Sequence, residues 1–325
     1  MRALRRSILG HVAVGYAAIF LVSAGSAQTT TDPTSELPGG GLVYAGPPDL
    51  VTDKEDITIA ADRVRAIYVV RNAGADAHRA LVAFALPDVD MLALDGSAVD
   101  NPAYDANNPD NYVGFTALVD GQPVETFVES RALALGLVDG TAKLRELKLP
   151  LYPLTPGLAE LLTALPEAIR DDLSARGLIR FNDGQWEPHW RLKTTLFWQQ
   201  PFAAGQIRTF VISYRPVVGT SMWTPDGATA LQQRYCVPAA VANDFTRRGT
   251  GPAPVVVKSV HFLAYLGAAA RGPAVSYRLA IDTGAPTKTA YTCHDGLSTS
   301  SAAGSREKSL SAATAEDEVQ VLFIE

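Results

Sequence analysis

Two cysteines, five histidines and no basic run: this 325-residue chain is poor in the residues that most often mark chemistry. Two thiols cannot build a four-cysteine zinc centre or a disulfide-dense scaffold. No H-E-x-x-H, paired C-x-x-C or G-x-S-x-G occurs, so neither a recognisable zinc site nor a nucleophile elbow is present. The sequence therefore assigns no catalytic residue, metal ligand or cofactor. Ser305-Arg306-Glu307-Lys308 matches S-x-x-K. That motif works only on a helix, and here it falls in a polar stretch. Residues 99–114 are dense in Asp and Asn but lack the regular calcium-loop spacing, and turn chemistry explains them more cheaply. The net charge is −6. An acidic chain with no basic cluster excludes nucleic acid as a natural partner and disfavours anionic lipid.

What is present begins with the N-terminus. Arg2, Arg5 and Arg6 precede an apolar stretch, Val12 to Val22, and Gly25-Ser26-Ala27 supplies small residues before Gln28. This is the layout of a cleaved export signal. The apolar core is short for a bilayer span, which needs about 20 residues, and no later stretch is long enough. We expect residues 1–27 to be removed, with no transmembrane segment left and a periplasmic location. Removal takes away three arginines and no acid, moving the charge from −6 to −9.

The mature chain reads as mostly β: an antiparallel sandwich in two β parts, 42–129 and 186–325, after a flexible start at 28–41. Residues 64–72 and 80–87 look like one hairpin, and 113–128 like another that turns at Asp120-Gly121. Along "RLKTTLFWQQPF", Leu192, Thr194, Leu196 and Trp198 share one strand face, while Arg191, Lys193, Thr195 and Gln199 take the other. "IRTFVISYRP" (207–216) reads as its returning partner, which puts Leu196, Trp198, Phe210, Ile212 and Tyr214 in the core. Further strands are predicted at 255–266, 274–282, 289–293 and 319–324, with a long loop at 298–318. Residues 130–185 form a helical insertion. Leu158, Leu161, Leu162, Leu165, Ile169 and Leu173 keep helical spacing, but Pro166 divides them into two short helices, and Gly177 caps the second.

The most site-like stretch is "WEPHW". Trp186, His189 and Trp190 could stack on a flat ligand with the imidazole as polar handle; equally, the two tryptophans could sit at half-buried strand edges. The acidic pair Glu55-Asp56 could supply acid and base, but fits a solubilising sheet edge better. The reading that results is an exported β-sandwich with a non-catalytic binding or structural role at the cell envelope, its ligand or envelope partner unnamed. The alternative is an envelope hydrolase or carbohydrate-binding protein using Trp186–Trp190. Assembly with a partner through an exposed edge strand is a third class.

Several stretches together resemble one bacterial family of exported proteins, domain of unknown function 4424. They are "LPGGGLVY", "EDITIAADRVRAIYVVRN", "NYVGFTALVDGQPV", "WRLKTTLFWQQPFAAGQ", "ISYRPVVG", "RYCV" and "GPAVSYRLAIDTGAPTKTAYTC". They follow the family's order over about residues 37–324. The resemblance implies an exported, mostly β protein of unknown activity and carries over no catalytic residue. It aligns Cys236 and Cys293 with cysteines of the family. In "AYTCHDG" Cys293 stands beside His294 and Asp295, which invites a nucleophilic reading. We read a Cys236–Cys293 disulfide instead. An exported chain with an even cysteine count favours a bond, and consecutive strand residues point to opposite faces, which separates Cys293 from His294. Two reduced thiols or a bridge between chains are the alternatives.

Overall fold

Alternating side-chain patterns do become strands, and the described residues are 47% strand and 20% helix. The computed structural model describes residues 41–45, 49–91, 98–100, 103–249, 255–262, 276–285, 288–293, 298–299, 305–310 and 319–324. Residues 1–27, expected to be a signal, lie outside these residues, as do His294 and Asp295. The first strands are Leu42–Ala45 (β1), Leu50–Ala60 (β2), Val64–Asn72 (β3), His78–Ala85 (β4), Val89–Asp90 (β5), Ala98–Asp100 (β6), Thr116–Val119 (β7), Gln122–Pro123 (β8), Phe127–Ala134 (β9) and Val138–Asp139 (β10). Helices Thr141–Glu146 (α1), Leu158–Ala164 (α2) and Glu167–Ala175 (α3) follow, then strands Ile179–Asn182 (β11), Gln185–Pro188 (β12), Trp190–Phe202 (β13), Ile207–Tyr214 (β14) and Val218–Met222 (β15). The chain closes with helices Pro225–Tyr235 (α4) and Ala239–Gly249 (α5) and strands Val256–Phe262 (β16), Ser276–Asp282 (β17), Thr289–Tyr291 (β18), Ser298–Thr299 (β19), Ser305–Leu310 (β20) and Val319–Ile324 (β21).

Three larger sheets organise these strands. The first has the order β1-β4-β13-β9-β10, with β5 also pairing β13. The second runs β19-β20-β17-β2-β3-β14-β7-β8, and the third β18-β21-β16-β15-β6. The first two face each other as a sandwich. Val82, Phe84, Leu196 and Trp198 from one layer meet Ile57, Tyr68, Phe210 and Tyr214 from the other in a single buried cluster. Strands from before and after the helical segment share both sheets, so the two β parts interleave within one compact unit, Leu37–Glu325.

Two expected hairpins are corrected by this topology. β3 pairs β2 and β14, whereas β4 pairs β1 and β13. β13 and β14 likewise belong to opposite sheets. The five predicted core residues are all buried, but they meet across the sandwich and not along neighbouring strands. Trp198 and Phe202 lie 6.1 and 6.2 Å from Phe210, ring centre to ring centre. The connectors 73–77 and 203–206 are therefore corners between sheets. A buried Asn72 ties the two corners together. Its amide donates to the carbonyls of Asp76 (2.7 Å) and Ala203 (3.0 Å), its Oδ1 accepts from Gly74 N–H, and its own N–H reaches Gln206 O. A fully satisfied buried amide can specify such a junction at little cost.

The Asp120-Gly121 turn does join β7 to β8, with φ of +51° and +81°. That left-handed pair suits a tight hairpin. The next residues cross to the other sheet as β9. Three helices occupy 141–175, and Pro166 stands immediately before the third, as expected. Gly177 takes a φ of +71° just beyond it. The helices bury Leu158, Leu162 and Leu173 against Ala132, Ala134 and Trp190. Within the predicted loop 298–318, residues 305–310 form β20 and pair with β17. S-x-x-K therefore lies on a strand, without the helix its chemistry needs. Among the described residues one pairing is parallel, β17 with β2.

Candidate functional site

The outer face of the first sheet carries apolar residues where solvent should favour polar ones. Register places Val43, Ala83, Phe197 and Phe127 in one row across β1, β4, β13 and β9. Leu81, opposite Ala45 on β1 and Gln199 on β13, begins the next row. Phe127 is 60% exposed and stacks on Phe197, with ring centres 5.6 Å apart and planes 29° apart. Together with Leu81, Val124, Glu125, Trp198 and Gln199 the two rings line a groove of about 550 Å³. Val124 and Glu125 lie on the link from β8 to β9, so the turn at Asp120-Gly121 sets one wall. Trp198 belongs to the buried layer, and its indole N–H has no partner among the described residues.

Further along β13 the same face turns ionic. Arg191 Nη2 sits 2.6 Å from Asp90, and Asp88 lies 3.8 Å from Arg191 and 3.7 Å from Lys193. Burial raises the Asp88 pKa, and the two cations only partly offset it. The groove is thus bounded at one end by compensated charge. Its own side-chain polar groups are one carboxylate and one amide. This arrangement can hold a ligand with an apolar face.

The predicted site residues lie elsewhere and are not gathered. Trp190 is fully buried in the helical cluster, and its Nε1 donates to Leu151 O at 2.8 Å. Trp186 is half-buried against Phe181 and beneath the Arg170 guanidinium. His189 contributes its backbone N–H to Leu178 O, with its ring half-buried. Trp190 therefore has no face left for a ligand, which corrects the three-residue platform. Among the described residues no group of three or more His, Cys, Asp or Glu could hold a metal ion. The free edge of β9 is partly taken up: Ala132 N–H donates to Thr141 Oγ1, and Ala132 O accepts from Gly140. Such cover weakens strand addition there.

Glu55 and Asp56 also part company. β2 lies inside its sheet, between β17 and β3. Asp56 points outward to Arg278 and Lys54 at 2.8 and 3.1 Å. Glu55 points into the sandwich beside Tyr68 and Tyr277, its register partners. Burial pushes its pKa up to about 8, and the Tyr68 hydroxyl offsets this only slightly, without a well-formed hydrogen bond. Neighbouring strand positions on opposite faces cannot act as one acid–base pair.

Cys236 and Cys293 are bonded, with Cα atoms 4.9 Å apart. The bond joins the end of α4 to the residues after β18.

Phe127 and Phe197 were missed because alternation draws the eye to the core face. The available signal was a lone aromatic, Phe197, on the polar face of β13. Its partner Phe127 sat in a segment read as the end of a hairpin.

Fold and groove define a mostly β, sandwich-like protein with an open sheet face. The chain belongs to the family described as domain of unknown function (DUF4424), whose model matches residues 30–322. Comparison with curated proteins gives no match. Among solved structures it is similar to a Legionella pneumophila protein provisionally described as nutrient binding. The identity is 12%, the TM-score is 0.41, and the match covers 88% of this chain and 70% of that one.

Proposed function

We infer that the protein is an exported, non-catalytic binding protein of the cell envelope whose ligand seats on the outer face of the first sheet. The stacked, exposed Phe127–Phe197 pair carries this reading. Large exposed apolar surface on a soluble sheet is costly to keep in solution and marks contact sites. A concave apolar lining with few polar groups is the usual form of a ligand pocket. The N-terminal leader pattern and the lack of basic clusters support export and a ligand other than nucleic acid. A sugar ring or a short apolar chain fits against the stacked rings with Glu125 and Gln199 at the rim.

The test is a glycan array and a fluorescence titration of apolar ligands on residues 28–325, with Trp198 in the groove wall as reporter. Phe127→Ala and Phe197→Ala should each weaken binding by about tenfold or more, as aromatic anchors do. Phe127→Ala should leave the melting temperature nearly unchanged, because that ring is largely in solvent. Binding that survives both substitutions but disappears in Trp186→Ala would move the site to the helical side and sink this assignment.

A further inference from the structure

A second surface, distinct from the groove, lies at the turn between β9 and β10. Ala132 to Val138, "ALALGLV", contains no polar side chain. Leu135, Leu137 and Val138 are 63%, 84% and 63% exposed. We propose that this hairpin tip is a wedge that seats in the interfacial layer of a phospholipid bilayer.

The backbone supports a built feature. Leu135 has a φ of +52° and Gly136 +71°. A tight turn of this kind normally takes Asn-Gly, and a bulky residue at positive φ is uncommon and strained. Leucine is therefore held at the tip against local preference. The turn is anchored from behind. A Cβ built at Gly177 would lie 3.9 Å from Leu135 Cγ, and one built at Gly136 would lie 3.1 Å from the Arg191 guanidinium carbon.

Shape and chemistry select lipid over a small molecule or a protein. Leu135 and Leu137 lie beyond the last paired residues, Ala134 and Val138, at the tip of a hairpin that has no walls to enclose a ligand. They are aliphatic, without the Trp, Tyr or Arg that anchor protein interfaces. Leu137 N–H already donates to Ala134 O at 3.0 Å, and Gly136 N–H to Leu133 O at 3.3 Å. Entry into an apolar medium leaves neither donor unpaired, which is the condition for irregular backbone at a membrane. Arg191 and Arg176 flank the base of the tip, 36% and 54% exposed, paired with Asp90 and Asp172. The acidic chain makes zwitterionic lipid the better surface.

The experiment is flotation of residues 28–325, which contain the whole compact unit, with vesicles of phosphatidylethanolamine and phosphatidylcholine. The protein should float with the vesicles, and the Leu137→Ser, Val138→Ser double variant should lose at least about tenfold of that partition. Both side chains are solvent-exposed, so the variant should melt like the parent. In Leu137→Trp, the added indole should shift to shorter wavelength on vesicle addition and be quenched by brominated lipid. Parent protein left in the aqueous fraction would overturn the proposal. So would equal flotation of the serine variant, or a concentration-dependent dimer that the serine substitutions abolish.

Discussion

Between about pH 5.5 and pH 8 the folded protein is expected to lose roughly 3 kcal/mol of stability, and Glu55→Gln to remove most of that loss. The cause is a carboxyl in the wrong medium. Glu55 is buried in the middle of the second sheet between Tyr68 and Tyr277, and Tyr214 adds another hydroxyl to the same interior. None of these groups is a cation, so the uncharged acid is the stable form inside. Desolvation raises its pKa to about 8 from 4.5. Below pH 4.5 the folded and unfolded chains both hold the proton, and Glu55 costs nothing. As pH rises, the unfolded chain releases the proton first, and stability falls until the folded carboxyl also ionises near pH 8. The full cost of that window is about 5 kcal/mol. Asp56 has a lowered pKa, because Arg278 and Lys54 outweigh its burial, so its effect falls at acid pH, outside the window. Glutamine keeps the shape and cannot ionise. Urea midpoints of parent and variant at both pH values check the result; identical pH dependence would show that Glu55 is not the group.

The second large effect concerns Cys236 and Cys293. Reduction, or replacement of both by serine, should destabilise the protein by about 4 kcal/mol in the chain-entropy picture, since the bond closes a loop of 57 residues. The location amplifies the consequence. Cys236 ends α4 with a φ of +51°, and Cys293 follows β18, a three-residue edge strand of the third sheet. Helices α4 and α5 pack Tyr235 and Phe245 around Trp223 and onto Leu322 and Ile324 of that sheet. The bond fixes this small cluster to its sheet edge. Melting with and without reductant measures the effect, and thiol titration of the denatured, unreduced protein should find no free cysteine. A melt indifferent to reductant would contradict it.

Sequence patterns revealed the strands but not their partners. Alternation states which residues share a face, so Leu196, Trp198, Phe210, Ile212 and Tyr214 were recognisable as core. It does not say whether two such faces belong to one sheet or to two sheets pressed together. The short connectors at 73–77 and 203–206 look like hairpin turns, and only the Asn72 hydrogen bonds identify them as corners. Glu55 was hidden for a related reason. The register of β2 against β3 shifts between Thr52 and Lys54, and the facing of the charged stretch "TDKED" could not be counted through that irregularity. Trp190 was ambiguous because a buried aromatic and an exposed one leave the same mark in the sequence. The groove depends on two strands, β9 and β13, separated by the whole helical segment, and no local pattern joins them.

The parallel pairing of β2 with β17 has a consequence in time. Asp56 meets Arg278 across 222 residues of chain. β2 can find β3 at once, but its other neighbour is made only after 222 further residues. Until then one side of β2 offers unpaired peptide groups, and the cavity that will receive Glu55 has no Tyr277 to close it. Contacts this distant make folding slow, because the loop must be closed before the pairing rewards it. The sandwich therefore cannot seal around Glu55 before Ser276–Asp282 is in place, and the side of β2 that receives this strand stays open until then.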